Sequence, residues 1–128
     1  YRMNANRLRI LMDASMEATY YVRDDFRSLW SQYFQYGLYK PLVFKKVRTQ
    51  IRIRHLVPPA FVVYVLALFP LLVFTWAALI PLLLYFALSL VFSLRITRNP
   101  KGVLYAISSY SILHVAYGTG FCLGIFKL

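Results

Sequence analysis

The sequence predicts a mainly α-helical membrane protein: a short β remnant of a larger α/β domain, an amphipathic interfacial helix, then three transmembrane helices. Three observations carry that expectation. From Val57 to Leu94 the chain runs thirty-eight residues without Asp, Glu, Lys or Arg, too long for one span of about 20 residues and about right for two. Ahead of it the chain is crowded with cation, and a basic flank marks the side that faces the anionic cytoplasmic leaflet. The composition is 60% hydrophobic with a net charge of +11, against about 45–50% apolar in soluble domains. Phospholipid headgroups are a simpler partner for cation beside a spanning segment than nucleic acid, which is not expected to bind.

Residues 1–23 have soluble character. Leu8 to Met12 and Glu17 to Val22 are rich in strand formers, and Asp13-Ala14-Ser15 between them supplies turn chemistry. Two short strands bury too little to stand alone, so they are expected to complete a sheet formed by upstream residues. Tyr1 is not an initiator Met and no signal peptide precedes the structured part. The expectation is therefore a C-terminal piece of something longer.

Residues 24–56 read as an interfacial helix followed by a basic segment. Asp24 and Asp25 place an acceptor and negative charge at a helix start. Phe26, Leu29, Trp30, Tyr33 and Gly37 then follow at helical spacing on one face. Arg27, Ser28, Ser31, Gln32 and Gln35 lie largely on the other. Trp30 and Tyr33 suit the headgroup depth as anchors, and Gly37 and Pro41 are expected to end or bend the helix. Lys40, Lys45, Lys46, Arg48, Arg52, Arg54 and His55 follow with no acid among them. Each such cation near an anionic leaflet contributes about 1 kcal/mol of attraction.

Residues 57–128 form the expected membrane domain, with spans over about 58–75, 78–95 and 103–126. Pro58-Pro59 opens the first span, where proline costs nothing, and Thr75-Trp76 marks the turn. Pro70 and Pro81 predict kinks. Arg95, Arg98 and Lys101 form a basic loop with Asn99-Pro100. The third span is more polar, holding Ser108, Ser109, Ser111, His114 and Tyr117, and Gly120 and Gly124 are spaced for close helix approach. It is expected inside the bundle, with Lys127 on the far side. Cys122 is the only cysteine, so an internal disulfide is excluded and a buried, inert thiol is expected.

Several of these segments resemble one family. Tyr1-Arg2 with Leu8–Met12 and Tyr20-Tyr21-Val22-Arg23 looks like the segment after the Glu-Asp catalytic motif of membrane-bound family 2 glycosyltransferases, the inverting enzymes of exopolysaccharide assembly close to the succinoglycan type, in the cellulose-synthase-like superfamily. Gln32-Tyr33-Phe34-Gln35-Tyr36-Gly37 resembles that family's acceptor-site helix, whose processive pattern is Gln-x-x-Arg-Trp. Arg54-His55-Leu56-Val57-Pro58 is similar to the entry to its first membrane helix, and His114–Phe121 to its last span.

The resemblance implies a cytoplasmic GT-A domain, with residues 1–23 as its C-terminal edge, transferring from a nucleotide-sugar with Mg2+ or Mn2+ held by an Asp-x-Asp motif. Neither that motif nor the catalytic Asp is among these residues, so the segment alone is expected to be inactive. Gln32, Gln35 and Tyr36 are the implied acceptor-binding residues, with Tyr36 able to stack on a sugar ring. Arg23, Arg27 and Lys40 are candidates for the acceptor's diphosphate. Gln35 stands where the processive pattern has Arg, which favours transfer of one sugar onto a lipid-linked acceptor. The implied place is the inner (plasma) membrane, multi-pass, with the N-terminal part cytoplasmic. Two other classes stay open: a non-enzymatic anchor or assembly subunit of a polysaccharide export system, and a small transporter, which would need polar residues repeated along several spans.

Overall fold

The computed structural model describes residues 13, 15–21, 24–46 and 52–127. It contains four α-helices: α1 (Phe26–Lys46), α2 (Val57–Phe74), α3 (Ile80–Ile96) and α4 (Pro100–Phe126). Short 3-10 turns at Ile53–His55 and Trp76–Leu79 lead into α2 and α3. Among the described residues there is no strand. Glu17–Tyr21 is irregular and exposed, as a strand former is without a neighbour to complete its ladder; Leu8–Met12, Val22 and Arg23 lie outside the described residues.

Local chemistry sets most boundaries. Asp25 accepts from the Ser28 amide at 2.7 Å and the Ser28 hydroxyl at 2.6 Å, capping α1. Those two bonds hold its carboxyl below the usual carboxylate range, the side-chain bond contributing most. Prolines occupy the first turns of α2, α3 and α4. Thr75 ends α2 in an extended conformation, and its hydroxyl accepts from the Ala77 amide at 3.2 Å. Asn99 caps α4 by accepting from the Lys101 amide at 3.0 Å, so this helix starts at Pro100, three residues before the expected Val103.

One expectation fails inside α1. Gly37 and Pro41 do not end the helix; both are buried within it as it continues to Lys46. The reason is close packing against α4. A Cβ on Gly37 would overlap the Tyr117 carbonyl and come within 2.8 Å of the Phe121 amide nitrogen. Gly120 meets the Phe34 carbonyl in the same way, and Gly124 meets Leu38 and the Pro41 ring. Gly120 and Gly124 do bring two backbones together, but the partner is α1 rather than another apolar span. Phe26 lies 5.7 Å from Tyr105 between ring centroids, while Pro41 lies at Gly124; α1 and α4 therefore run in the same direction.

The α2–α3 pair is built differently. Joined by the Trp76–Leu79 turn, the two helices form an open hairpin. The Tyr64 hydroxyl donates to the Ala78 carbonyl of that turn at 2.6 Å and the tilted Phe61 and Tyr85 rings lie 4.6 Å apart, but the two backbones do not pack on one another. Val57–Phe74 and Trp76–Ile96, the latter being α3 with the 3-10 turn before it, are long and apolar enough to cross a membrane. Their surfaces are open: Phe69 and Phe74 are each 83% exposed and Trp76 79%. A buried core helix of a soluble domain does not look like this. α4, at 27 residues, is about 40 Å long, yet its polar residues keep it outside the set of two helices apolar enough to cross. It is nonetheless the central helix, in contact with α1, α2 and α3. The hairpin meets it near α2's start, where Gly118 abuts Pro58 and Val62, and along α3 from Tyr85 at His114 to Thr97 at Gly102.

Candidate functional site

The open face of α1 carries the residues singled out from sequence. Gln32 and Tyr36, one turn apart, come together: the Gln32 amide donates to the Tyr36 hydroxyl at 3.0 Å. With Ser28, Ser31 and Gln35 they line a polar cleft of about 330 Å³. Gln35 and Tyr36 also line a second cavity of about 440 Å³, which includes Tyr39, Lys40, Val43, His55 and Tyr117. His55 and Tyr117 in turn border a third space of about 150 Å³ with Tyr33, Arg54, Pro58, Leu113 and His114. The three adjoin in a row, a trough divided by the side chains they share, polar at Gln32 and apolar where α2 begins.

The expected diphosphate cations are not brought together. Arg23 lies outside the described residues. Arg27 sits in the first turn of α1 and Lys40 thirteen residues later, roughly 20 Å along a helix. The structure instead places Lys40 with His55, and Arg54 beside them. The Lys40 ammonium rests 5.6 Å from the centre of the Phe44 ring, and that ring lies 5.8 Å from the His55 imidazole. Partial burial and then the charges of Lys40, Arg54 and Arg52 hold the His55 pKa below its ordinary value. These surroundings favour the neutral imidazole over the imidazolium.

Sequence reading missed Arg54, His55, Tyr39 and Tyr117 as cavity residues. Arg54 and His55 read as the entrance to a span, and Tyr117 as one polar residue of a helix. Nothing local signals that 55 and 117 meet, since the contact depends on Gly118 admitting the start of α2. The Tyr117 hydroxyl is buried without a hydrogen-bond partner among the described residues.

Other polar groups of α3 and α4 satisfy themselves on their own helices. Ser93 donates to the Ser89 carbonyl, Ser109 to Tyr105, Ser111 to Ile107 and Thr119 to Val115. His114 Nδ1 lies 2.9 Å from the Tyr110 carbonyl oxygen and 3.3 Å from the Tyr85 hydroxyl of α3. Of these, the His114–Tyr85 contact joins α4 to α3. Among the described residues no three His, Cys, Asp or Glu side chains converge, and every acid of the chain lies between Asp13 and Asp25. The trough therefore has the groups to bind and orient a ligand, with amide, phenol and cation, but no carboxylate along its length to act as base.

No protein-family model, curated protein or solved structure matches the chain.

Proposed function

We propose that this segment is the acceptor-side and membrane-anchoring part of an inverting family 2 glycosyltransferase. The whole enzyme moves a sugar from a nucleotide-sugar to a lipid-linked or polysaccharide acceptor at the cytoplasmic face of the inner (plasma) membrane. The observation that carries this reading is the Gln32–Tyr36 pair in a polar cleft on a helix packed along α4, which in turn meets the start of α2. An amphiphilic acceptor keeps its tail in lipid and its reacting hydroxyl at the headgroup plane. A helix there, with Gln32, Gln35 and Tyr36 turned toward a catalytic domain, holds that hydroxyl near the donor, and positioning of this kind contributes several kcal/mol, roughly, to a transfer step. The Mg2+ or Mn2+ that such enzymes use does not fit the residues described here, so no step is routed through it.

In this proposal α2 and α3 are the crossings and the trough faces the cytoplasmic leaflet. A hairpin returns the chain to its starting side, so Arg52 and Arg54, Arg95 to Lys101, and Lys127 all face anionic lipid, in keeping with the positive-inside rule. α4 does not serve as the expected third crossing. It runs with α1, and a crossing would carry the polar edge of α1 into hydrocarbon, which is costly. The abutment of Gly118 on Pro58 also keeps this part of α4 at the level of α2's first turn.

The test uses the longer protein that carries this segment. Gln32→Ala and Tyr36→Ala should each lower transfer to a lipid-linked acceptor while leaving membrane extraction behaviour unchanged. Unchanged transfer in both would overturn the acceptor assignment and favour a non-enzymatic anchor.

A further inference from the structure

The trough contains a concentration of positive charge that the chain does not neutralise. Lys40 from α1 and Arg54 from the turn before α2 border adjoining cavities with His55 shared between them. All four acidic residues precede α1, and no carboxylate of the described residues pairs with either cation. The buried Tyr117 hydroxyl, without a partner, belongs to the wall common to both cavities. Three elements thus bring donors to two adjoining cavities, and none of them brings a carboxylate. An anion completes such a site, and phosphate matches guanidinium, ammonium and N–H donors best.

The two ends of the trough differ in character. Gln35 and Tyr36 border the cavity on the side of the polar cleft. Pro58 and Leu113 border the adjoining smaller cavity, where α2 begins. We infer that Lys40, Arg54 and His55 seat the phosphate or diphosphate of an amphiphile, with its tail leaving past Pro58 and Leu113 and its polar end directed to Gln35 and Tyr36. The inference rests on the acceptor-side reading and changes it: the phosphate seat lies at the α1–α2 junction, away from Arg27.

The test is equilibrium binding of farnesyl diphosphate to the full-length protein in phosphatidylcholine nanodiscs, with farnesol and inorganic pyrophosphate as comparison probes. Arg54→Gln and Lys40→Gln should each weaken farnesyl diphosphate binding by about tenfold, the scale of one lost charge-assisted contact. Arg54→Lys should retain most of it, and Arg98→Gln, in the other basic loop, should change nothing. Gln32→Ala should bind this probe normally, so a failed acceptor assignment, read from transfer, is distinguishable from a failed phosphate seat. Equal binding by both Gln variants and wild type would overturn the inference. So would farnesol binding as well as the diphosphate. Pyrophosphate matching the lipid form would show a free-diphosphate site and overturn the amphiphile, and full displacement by added phosphatidylglycerol would reduce the seat to ordinary headgroup adhesion.

Discussion

The two helix pairs of this chain solve the problem of apolar surface in opposite ways. α1 and α4 press together backbone to backbone through Gly37, Gly120 and Gly124, so that an added Cβ at any of them meets main-chain atoms. α2 and α3 touch through large side chains such as Phe61, Tyr64 and Tyr85 and leave most of their apolar surface open. The α1–α4 pair is also where the amides, hydroxyls and cations gather, whereas Val57 to Leu94 holds no charge. The difference separates two jobs. One pair has internal partners and shapes a trough; the other finds its partner outside the chain, and a bilayer supplies one of matching thickness.

Substitutions sharpen that contrast, beginning with the largest effect. Arg at Leu66, which is 74% exposed in the middle of α2, should disfavour membrane insertion by about 2.5–3.5 kcal/mol. Carbonate extraction of membranes checks it: the variant should move to the soluble or degraded fraction, whereas a hairpin facing water would tolerate it. Gly120→Leu should cost about 1–3 kcal/mol through overpacking against Phe34, read as a lower unfolding temperature in detergent. Leu at Ala87, on the exposed side of α3, should leave that temperature nearly unchanged. Equal sensitivity at the two sites would erase the distinction between the pairs.

Two smaller effects concern the ends of the α1 trough, and their pH dependence has a definite sign. The folded-state pKa of His55 is lowered, so folding is disfavoured as pH falls below the usual imidazole value of about 6.5. The loss should be smaller in His55→Gln, and an NMR titration should give a midpoint under that value; a midpoint above it would contradict the cationic environment. The Asp25 carboxyl is likewise lowered, so its capping contribution is present above the unfolded carboxylate pKa and disappears as pH falls through the folded value. Asp25→Ala should fray the first turn of α1 at neutral pH, detectable as faster amide exchange at Ser28.

How much of this was legible in the sequence follows from the range of each interaction. Asp25, Pro58-Pro59 and Thr75 act within a few residues, and the boundaries they predict agree with the structure closely; Asn99-Pro100 read as loop, whereas Asn99 caps a helix that begins at Pro100. The charge-free run likewise gave the two helices apolar enough to cross. Pro41 misled because its meaning depends on α4: in isolation it breaks a helix, but here its ring packs at Gly124. The third span was read from length despite Ser108, Ser109, Ser111 and His114, and those same residues leave α4 outside the two helices that are long and apolar enough to cross. The Gln32–Tyr36 pair was visible from helical spacing. The meeting of Lys40, His55 and Tyr117 was not, because a glycine contact distant in sequence creates it.

Side-selective thiol labelling of single-cysteine variants in sealed membrane vesicles tests the two-crossing arrangement most directly, with Cys122 replaced by Ala and cysteine placed in turn at Trp76, Arg98 and Lys127. The account predicts that position 76 reacts only from the face opposite to positions 98 and 127. Position 127 reacting together with position 76 would restore a third crossing, and all three reacting from one face would mean that the hairpin does not cross at all.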